Sequence, residues 1–222
     1  MKTAKFFLIQ IIIVIIILGS CEDENINPDS ASYKGYYCGF MILENTHIGV
    51  WSCTVNADDS IFLTLHDGLP VEVSGIISSN GTFKDLQTKY NETLDIEGKI
   101  DIKGNVNGRW REFENLFGNI VGSEGLGETN YGGSWYENSS GIYFKLEISD
   151  EEYALYSYHE EEQAYGTEPI DDGTYNIENN DIYLYPSNGI NEHGKIYMSD
   201  DTLVIALDGL SPMVYYRTDP DI

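Results

Sequence analysis

Apolar and polar side chains alternate along most of the chain beyond its apolar N-terminus. In residues 142–148, for example, isoleucine, phenylalanine and leucine alternate with tyrosine, lysine and glutamate. A repeat of two residues places one set of side chains on each face of a β-strand. Residue pairs that favour tight turns, such as Asn179–Asn180 and Asp200–Asp201, separate these segments. The pattern predicts an all-β protein built from short antiparallel strands.

Residues 53–106 contain a repeat of 22 to 23 residues. Each copy has two apolar residues six positions apart, and the pairs are Val55 and Ile61, Ile77 and Phe83, and Ile100 and Val106. A hairpin with a three-residue loop places the two members of a pair opposite each other. The third loop position of such a hairpin has a positive φ, which suits Gly81 and Gly104 and is less favourable for Asp59. The repeat is therefore interpreted as a series of hairpins, in which the glycines serve the turns.

The same reasoning divides the folded part of the chain into two halves. In residues 33–127 we expect strands near 36–43, 48–56, 60–66, 70–78, 81–87, 93–101, 104–113 and 117–123. In residues 128–222 we expect strands near 133–137, 142–148, 153–159, 173–178, 181–185, 193–199, 202–207 and 213–217. A meander exposes two edges unless it closes, so we predict two small up-and-down β-barrel or barrel-like domains.

The N-terminus predicts an export signal. Lys2 and Lys5 precede an apolar run, Phe6–Leu18, that only Gln10 interrupts. A helix of these 13 residues reaches ~20 Å, which is too short for a bilayer core of ~30 Å. We therefore interpret residues 1–20 as a cleaved signal peptide, with a retained membrane anchor as the alternative.

The end of this leader, Leu18-Gly19-Ser20-Cys21, resembles the lipobox of bacterial lipoproteins, although glycine is less usual at the position of Gly19, the second residue before Cys21. The resemblance implies that Cys21 is lipidated and becomes the new N-terminus. An ordinary leader followed by an incidental cysteine is the alternative. Residues 21–32 are polar and acidic and predict a disordered tether. Their acidic start resembles the export signal of surface lipoproteins, and solvated linker charge is the alternative. We expect the protein at the outer membrane, on its periplasmic or its outer face.

Cys38 and Cys53 are the two cysteines that lipidation of Cys21 leaves. Their predicted strands flank Asn45-Thr46, and a two- or four-residue loop centred there would place Cys38 directly opposite Cys53. An odd loop would break this register. Because an exported protein permits disulfides, we expect a structural Cys38–Cys53 bridge.

The second half, residues 128–222, resembles a lipocalin-like domain. It opens with Gly133-Ser134-Trp135, continues as a short up-and-down run of strands and has Arg217 on its last strand. In that family the tryptophan closes one end of the barrel and the arginine packs over it. The resemblance therefore implies structural roles for Gly133, Trp135 and Arg217. Small barrels are often filled by their own side chains, so the apolar ligands of the family carry over only as a hypothesis.

Acidic residues greatly outnumber basic ones. The formal net charge is −25, from 37 acidic and 12 basic residues. Residues 128–222 carry a net charge of −17, against −6 for residues 33–127. Phosphate binding requires a basic surface, so nucleic acid is excluded as a partner. Anionic lipid would also be repelled, so we expect membrane contact through the lipid on Cys21 alone.

Tyrosines are the main candidates for ligand contacts, since 13 of the 17 lie in residues 128–222. The candidates are Tyr153, Tyr156, Tyr158, Tyr165, Tyr183, Tyr185 and Tyr197. They could line a cavity or form a stacking platform for sugars, although tyrosine is also a common strand residue. The longest predicted loop of this half, residues 160–172, is acidic and is the best single segment to inspect.

Catalytic and metal-binding motifs are absent from the sequence. The four histidines have no metal-ligand spacing, and they are His47, His66, His159 and His193. Two groups of oxygen-bearing side chains lack the spacing of a calcium loop and are explained by turns, namely Asn56 with Asp58 and Asp59, and Asp171 with Asp172. No nucleophile motif occurs. We therefore expect neither an enzyme nor a cofactor.

The function that these features favour is a non-catalytic binding module, whose second barrel takes a small apolar or glycan ligand. The alternative is an acidic surface module that docks a protein partner. A barrel filled by its own side chains would contradict a ligand cavity. An exposed aromatic patch beside residues 160–172 would favour the docking module.

Overall fold

The computed structural model describes residues 32–88, 94–112, 116–139 and 142–219. All regular secondary structure in these ranges is β-strand, which confirms the predicted fold class. The strands form two nine-stranded antiparallel sheets, one from each half of the chain. The leader, Cys21 and the tether up to residue 31 lie outside the described residues. Within the described ranges, no helix is long and apolar enough to cross a membrane.

The first sheet curls into a half barrel. Its strands are β1 (Gly35–Leu43), β2 (Thr46–Val55), β3 (Ser60–His66), β4 (Pro70–Ile76), β5 (Thr82–Phe83), β6 (Gln87–Thr88), β7 (Leu94–Ile100), β8 (Asn105–Glu112) and β9 (Leu116–Glu124). The last of these, β9, returns to pair with β1. The strand predicted at 81–87 is broken near Asp85, whose φ is +54°. Its first part, β5, pairs with β7, and its second part, β6, pairs with β4.

The predicted hairpins of the repeat are present and share one loop geometry. Val55 pairs with Ile61 and Ile100 with Val106, and in the middle copy the Ser78 amide donates to the Thr82 carbonyl at 2.9 Å. At the third loop position, φ is +62° at Asp59, +81° at Gly81 and +82° at Gly104. The carbonyl oxygen of each of these three residues accepts a backbone hydrogen bond of 2.8–2.9 Å, and the donors are the amides of Ile77, Ile100 and Glu124, respectively. The hairpin interpretation is therefore confirmed.

The hairpin between β1 and β2 has a different register from the predicted one. Its two-residue turn is Glu44–Asn45, one residue earlier than expected, with φ values of +49° and +70°. A β-bulge between Met41 and Ile42 then leaves Ile48 without a partner on β1. The extra residue in β2 shifts every later pair by one position.

This register shows that the predicted Cys38–Cys53 disulfide is wrong. Cys38 lies opposite Ser52, and Cys53 lies opposite Tyr37. Because neighbouring residues of a strand point to opposite faces, the two thiols are on different sides of the sheet. Both cysteines are free and buried. Burial raises the pKa of each thiol to about 12, so neither is a reactive thiolate at neutral pH.

The second sheet closes into an eight-stranded barrel. Its strands are β10 (Gly133–Ser139), β11 (Ile142–Ile148), β12 (Glu152–His159), β13 (Ala164–Tyr165), β14 (Asp171–Glu178), β15 (Asp181–Pro186), β16 (Glu192–Ser199), β17 (Thr202–Leu207) and β18 (Met213–Tyr216). The ring is β10-β11-β12-β14-β15-β16-β17-β18, and β18 pairs with β10. The short β13 adds to β12 alone. All eight predicted strands are present, with ends that differ by at most two residues.

The two sheets share an apolar junction. Cys38, Phe40 and Val50 of the first sheet pack with Tyr197, Val204 and Ala206 of the second. The rings of Phe40 and Tyr197 meet edge to face, with their centres 4.7 Å apart. Alternation along β16 and β17 explains this arrangement, because outward residues cover the junction while their inward neighbours fill the barrel. The sheets therefore belong to one compact unit.

Candidate functional site

The closed barrel contains a cavity of about 140 Å³. Aliphatic side chains form most of its wall, among them Leu146, Ile177, Ile182, Ile196 and Ile205. These residues occupy the inward positions of alternating strands. Four tyrosines also contribute to the lining, and they are Tyr131, Tyr153, Tyr175 and Tyr215. The barrel is thus only partly filled by its own side chains.

One end of the barrel is closed by Trp135 and Arg217. The central carbon of the guanidinium group lies 3.7 Å from the centre of the Trp135 ring. The same group donates hydrogen bonds to the carbonyl oxygens of Gly132 (2.7 Å) and Asn130 (3.1 Å). At Gly133, φ is +116°, and a Cβ atom there would lie 2.6 Å from Nη1 of Arg217. The three residues singled out by the lipocalin-like pattern therefore lie together at this end.

The other end of the barrel forms the mouth of the cavity. Asp171, Glu192 and Met213 are the first residues of β14, β16 and β18, and all three line the cavity and are partly exposed. Leu210, in the loop before β18, is 48 % exposed and completes the rim. Deeper lining residues such as Ile196 are fully buried. The mouth thus combines two carboxylates with two apolar side chains.

The two carboxylates give the mouth a negative potential. The Tyr153 hydroxyl donates a hydrogen bond of 3.2 Å to Oδ2 of Asp171. Partial burial and the charge of Asp171 raise the pKa of Glu192 above its ordinary value. Like charges disfavour each other's ionised form. A cation at the mouth would therefore be attracted, and an anion repelled.

Tyr131 adds an unsatisfied polar atom to the lining. The residue is only 6 % exposed, and its hydroxyl has no hydrogen-bond partner among the described residues. Burial raises its pKa to about 12, so the hydroxyl is protonated and is available as a donor. Buried hydroxyl groups are normally hydrogen-bonded, so a ligand acceptor atom beside Tyr131 would satisfy it.

The structure places none of six predicted tyrosines in the cavity. Those six are Tyr156, Tyr158, Tyr165, Tyr183, Tyr185 and Tyr197. On the ring strands they stand at positions that alternate with the inward residues, so their side chains lie outside the barrel. Tyr197 is buried at the junction between the sheets. Of the seven candidates, only Tyr153 lines the cavity.

Tyr156 and Tyr185 line an open groove of about 630 Å³ on the outer wall of the barrel. Three carboxylates, Glu147, Glu152 and Asp172, share this groove. Asp171 lines the cavity and Asp172 lines the outer groove. The side chains of these two sequence neighbours therefore lie on opposite sides of the barrel wall. Within the described ranges, no group of three or more His, Cys, Asp or Glu residues could hold a metal ion.

A tyrosine cluster lies on the same outer wall beside the predicted loop. Its members are Tyr136, Tyr143, Tyr158 and Tyr165, and neighbouring ring centres are 5.3–5.9 Å apart. The exposed glutamates 160–162 directly follow β12 and border the cluster. Tyr165 belongs to β13, which occupies part of the segment predicted as a loop.

Two histidines that are far apart in sequence flank one carboxylate in the fold. Nε2 of His66 lies 3.0 Å from Oδ1 of Asp208, and Nδ1 of His193 lies 2.8 Å from Oδ2 of the same residue. The other nitrogen of His193 lies 3.4 Å from Asp181, which also pairs with Lys195 at 2.7 Å. Burial lowers the pKa of His66, although Asp208 opposes this effect. The network joins the first sheet to the barrel, and no local sequence signal marks it.

The chain matches no family model and no curated protein. The geometry of the cavity, the groove and the tyrosine cluster is therefore the basis for a function.

Proposed function

We propose that this protein is a bacterial outer-membrane lipoprotein, anchored through Cys21, whose closed barrel binds a small apolar ligand without catalysis. The cavity is the observation that supports this proposal. An engineered apolar cavity of about 150 Å³ accepts benzene. The cavity of about 140 Å³ therefore suits one ring or a short alkyl segment, and a larger apolar molecule would bury only one end.

A glycan would use a different place on the barrel. Sugars are too polar for an aliphatic interior, because each buried hydroxyl needs a partner. The outer groove with Tyr156 and Tyr185 offers rings for stacking and carboxylates that accept hydrogen bonds. We rank the cavity first, because enclosed apolar pockets with a few polar groups are the usual form of small-molecule sites.

Met213 provides a direct test, because its side chain lines the mouth while Met41 is buried in the first sheet. The full chain would carry ¹³C at its methionine methyl groups and be reconstituted in phosphatidylcholine nanodiscs. On titration with benzyl alcohol, we expect the Met213 signal to shift and saturate and the Met41 signal to stay unchanged. A methyl signal reports binding to the protein and is insensitive to probe that partitions into lipid.

A cavity-filling variant provides the control. Ile177→Phe adds a ring to the lining and should weaken probe binding at least about tenfold, since the space for the ring is lost. Ile142→Phe adds the same ring at a position that is 59 % exposed and should leave binding unchanged. The proposal is contradicted if no ring-sized probe, charged or neutral, shifts the Met213 signal.

The alternative function, docking of a protein partner, is supported by the tyrosine cluster. Aromatic residues bordered by charge are typical of protein interfaces, and glutamates 160–162 would favour a basic partner. Photo-crosslinking from position 143 in living cells tests this. A discrete adduct that disappears when glutamates 160–162 become glutamines supports docking. An adduct pattern identical to that from the exposed Phe62 contradicts it.

A further inference from the structure

We infer that the barrel cavity selects small organic cations, which place a ring-sized apolar body inside and an ammonium group at the mouth between Asp171 and Glu192. The inference rests on the proposed function, because it assigns the ligand chemistry of the same cavity. Uncharged molecules of the same shape bind more weakly, and carboxylates such as fatty acids bind weakest.

The position of the two acids favours this class of ligand. Asp171 and Glu192 are the only charged residues in the cavity lining of the described chain. They begin β14 and β16, the two neighbours of β15, so they stand on either side of one strand. Below them the wall is aliphatic, with Leu155 and Leu184 as examples. A ligand that reaches the apolar interior therefore has its outer end beside both carboxylates.

Among the described residues, no cationic side chain lines the mouth. Residues 128–222 contain three lysine and arginine side chains. Lys145 and Lys195 form ion pairs elsewhere on the barrel wall, and Arg217 lies at the closed end. No ion pair of the described residues includes Asp171 or Glu192. A ligand ammonium group would be their first positive partner.

The electrostatics of the lining also favour a cation at the mouth. The raised pKa of Glu192 agrees with this arrangement, since burial and the neighbouring Asp171 both oppose its ionisation. An organic cation relieves that repulsion. The net charge of −17 in residues 128–222 repels anions of the same size.

Three probes of one shape test the inference. Benzylamine, benzyl alcohol and benzoate would be titrated at neutral pH into the full ¹³C-methionine-labelled chain in phosphatidylcholine nanodiscs, with Met213 as the reporter. We expect benzylamine to bind at least about tenfold tighter than benzyl alcohol, because its ammonium lies near two partly buried carboxylates. Benzoate should bind weakest. Added salt should reduce the difference between benzylamine and benzyl alcohol.

Matched variants show whether the carboxylates cause the selectivity. Asp171→Asn and Glu192→Gln should each weaken benzylamine binding at least about threefold, and the double variant should reduce it to the level of benzyl alcohol. Benzyl alcohol should change by less than about twofold throughout. Asp172→Asn removes the same charge from the outer face of the same strand and should have no effect. Unchanged Met41 and Met198 signals verify that each variant is folded.

The outcomes separate the two claims. If benzylamine and benzyl alcohol shift Met213 with equal affinity, cation selectivity is refuted and the proposed apolar site stands. If the preference for benzylamine persists in the double variant, Asp171 and Glu192 are not its source and the inference is refuted. If none of the probes shifts Met213, the proposed function itself fails.

Discussion

Removing the guanidinium group of Arg217 should strongly destabilise the closed barrel. The substitution Arg217→Met keeps an apolar stem of similar length and deletes the charge, the contact with Trp135 and both hydrogen bonds. Its matched control is Arg109→Met, which deletes a guanidinium that is 74 % exposed and pairs with Glu97 on the surface of the first sheet.

The contacts of Arg217 set the size of the effect. A guanidinium over an indole ring contributes roughly 0.5–2 kcal/mol, and the separation here is 3.7 Å. Hydrogen bonds from charged groups contribute about 1.5–3 kcal/mol when buried. The bond to Gly132 is partly buried and the bond to Asn130 is exposed, so we count about 1.5 kcal/mol for the first and a few tenths for the second. The expected loss is about 2–4 kcal/mol.

Thermal unfolding followed by near-ultraviolet circular dichroism measures this loss in the full chain. For a folded unit of this size, 1 kcal/mol corresponds to roughly 2–4 °C in Tm. We therefore expect Arg217→Met to lower Tm by roughly 5–15 °C, whereas Arg109→Met should lower it by no more than about 4 °C, because surface ion pairs contribute about 0–1 kcal/mol. Arg217→Lys keeps the charge without the planar fork and should recover part of the loss.

Equal Tm values for Arg217→Met and Arg109→Met would refute this reasoning. Such a result would mean that packing of Trp135 alone closes the barrel end. An Arg217→Lys variant as stable as the wild type would show that the charge matters and that the two hydrogen bonds do not.

Three further predictions follow from other parts of the fold. Gly122→Ala should destabilise the first sheet by about 3 kcal/mol or more, because the added Cβ would lie 2.1 Å from the carbonyl oxygen of Cys38. A chemical denaturation midpoint close to that of the wild type would contradict this prediction. Burial lowers the pKa of His66 in the folded protein, so the unfolded chain binds the proton first as pH falls. His66 should therefore reduce the free energy of unfolding below about pH 6.5, the unfolded pKa of histidine, by at most about 1.4 kcal/mol per pH unit. The plot of stability against pH should be flatter for His66→Gln, and an unchanged plot would exclude His66 as the source. A reducing agent should leave Tm unchanged, because Cys38 and Cys53 are free. A decrease in Tm that corresponds to a loss of about 2–4 kcal/mol in the free energy of unfolding would reveal a disulfide.

The cysteine register shows how a local argument can fail. The sequence placed the turn at Asn45-Thr46, but the chain turns one residue earlier and then inserts a bulge at Ile48. Each change shifts the pairing, and a net shift of one residue is enough to send Cys38 and Cys53 to opposite faces. Bulges depend on how a strand must twist to meet its neighbours, and β1 here pairs with β9 as well as with β2. The hairpin alone therefore does not contain that information.

The candidate tyrosines show a related limit. Strand alternation predicts that Tyr156 and Leu155 face opposite sides, but it does not say which side becomes the interior. Aliphatic residues occupy the inward side, and most of the candidate tyrosines lie on the wet outer wall, where the ring can pack and the hydroxyl can remain hydrated. Tyr153 is an exception, since its ring lies inside the barrel and its hydroxyl reaches Asp171 at the mouth.

What the sequence alone determined was set by neighbours along the chain. The two-residue alternation defined all eight strands of the barrel, and the loop geometry at Asp59, Gly81 and Gly104 followed from six-residue spacing. The tertiary structure decided which residues of different strands lie close together once the barrel closes. His66 of the first sheet lies 3.0 Å from Asp208 of the barrel. Asp171 and Glu192 both line the cavity mouth, because β14 and β16 begin at the same end of the closed barrel. Periodicity describes one strand at a time, whereas a cavity, an ion-pair network and a register across a bulge depend on several strands at once.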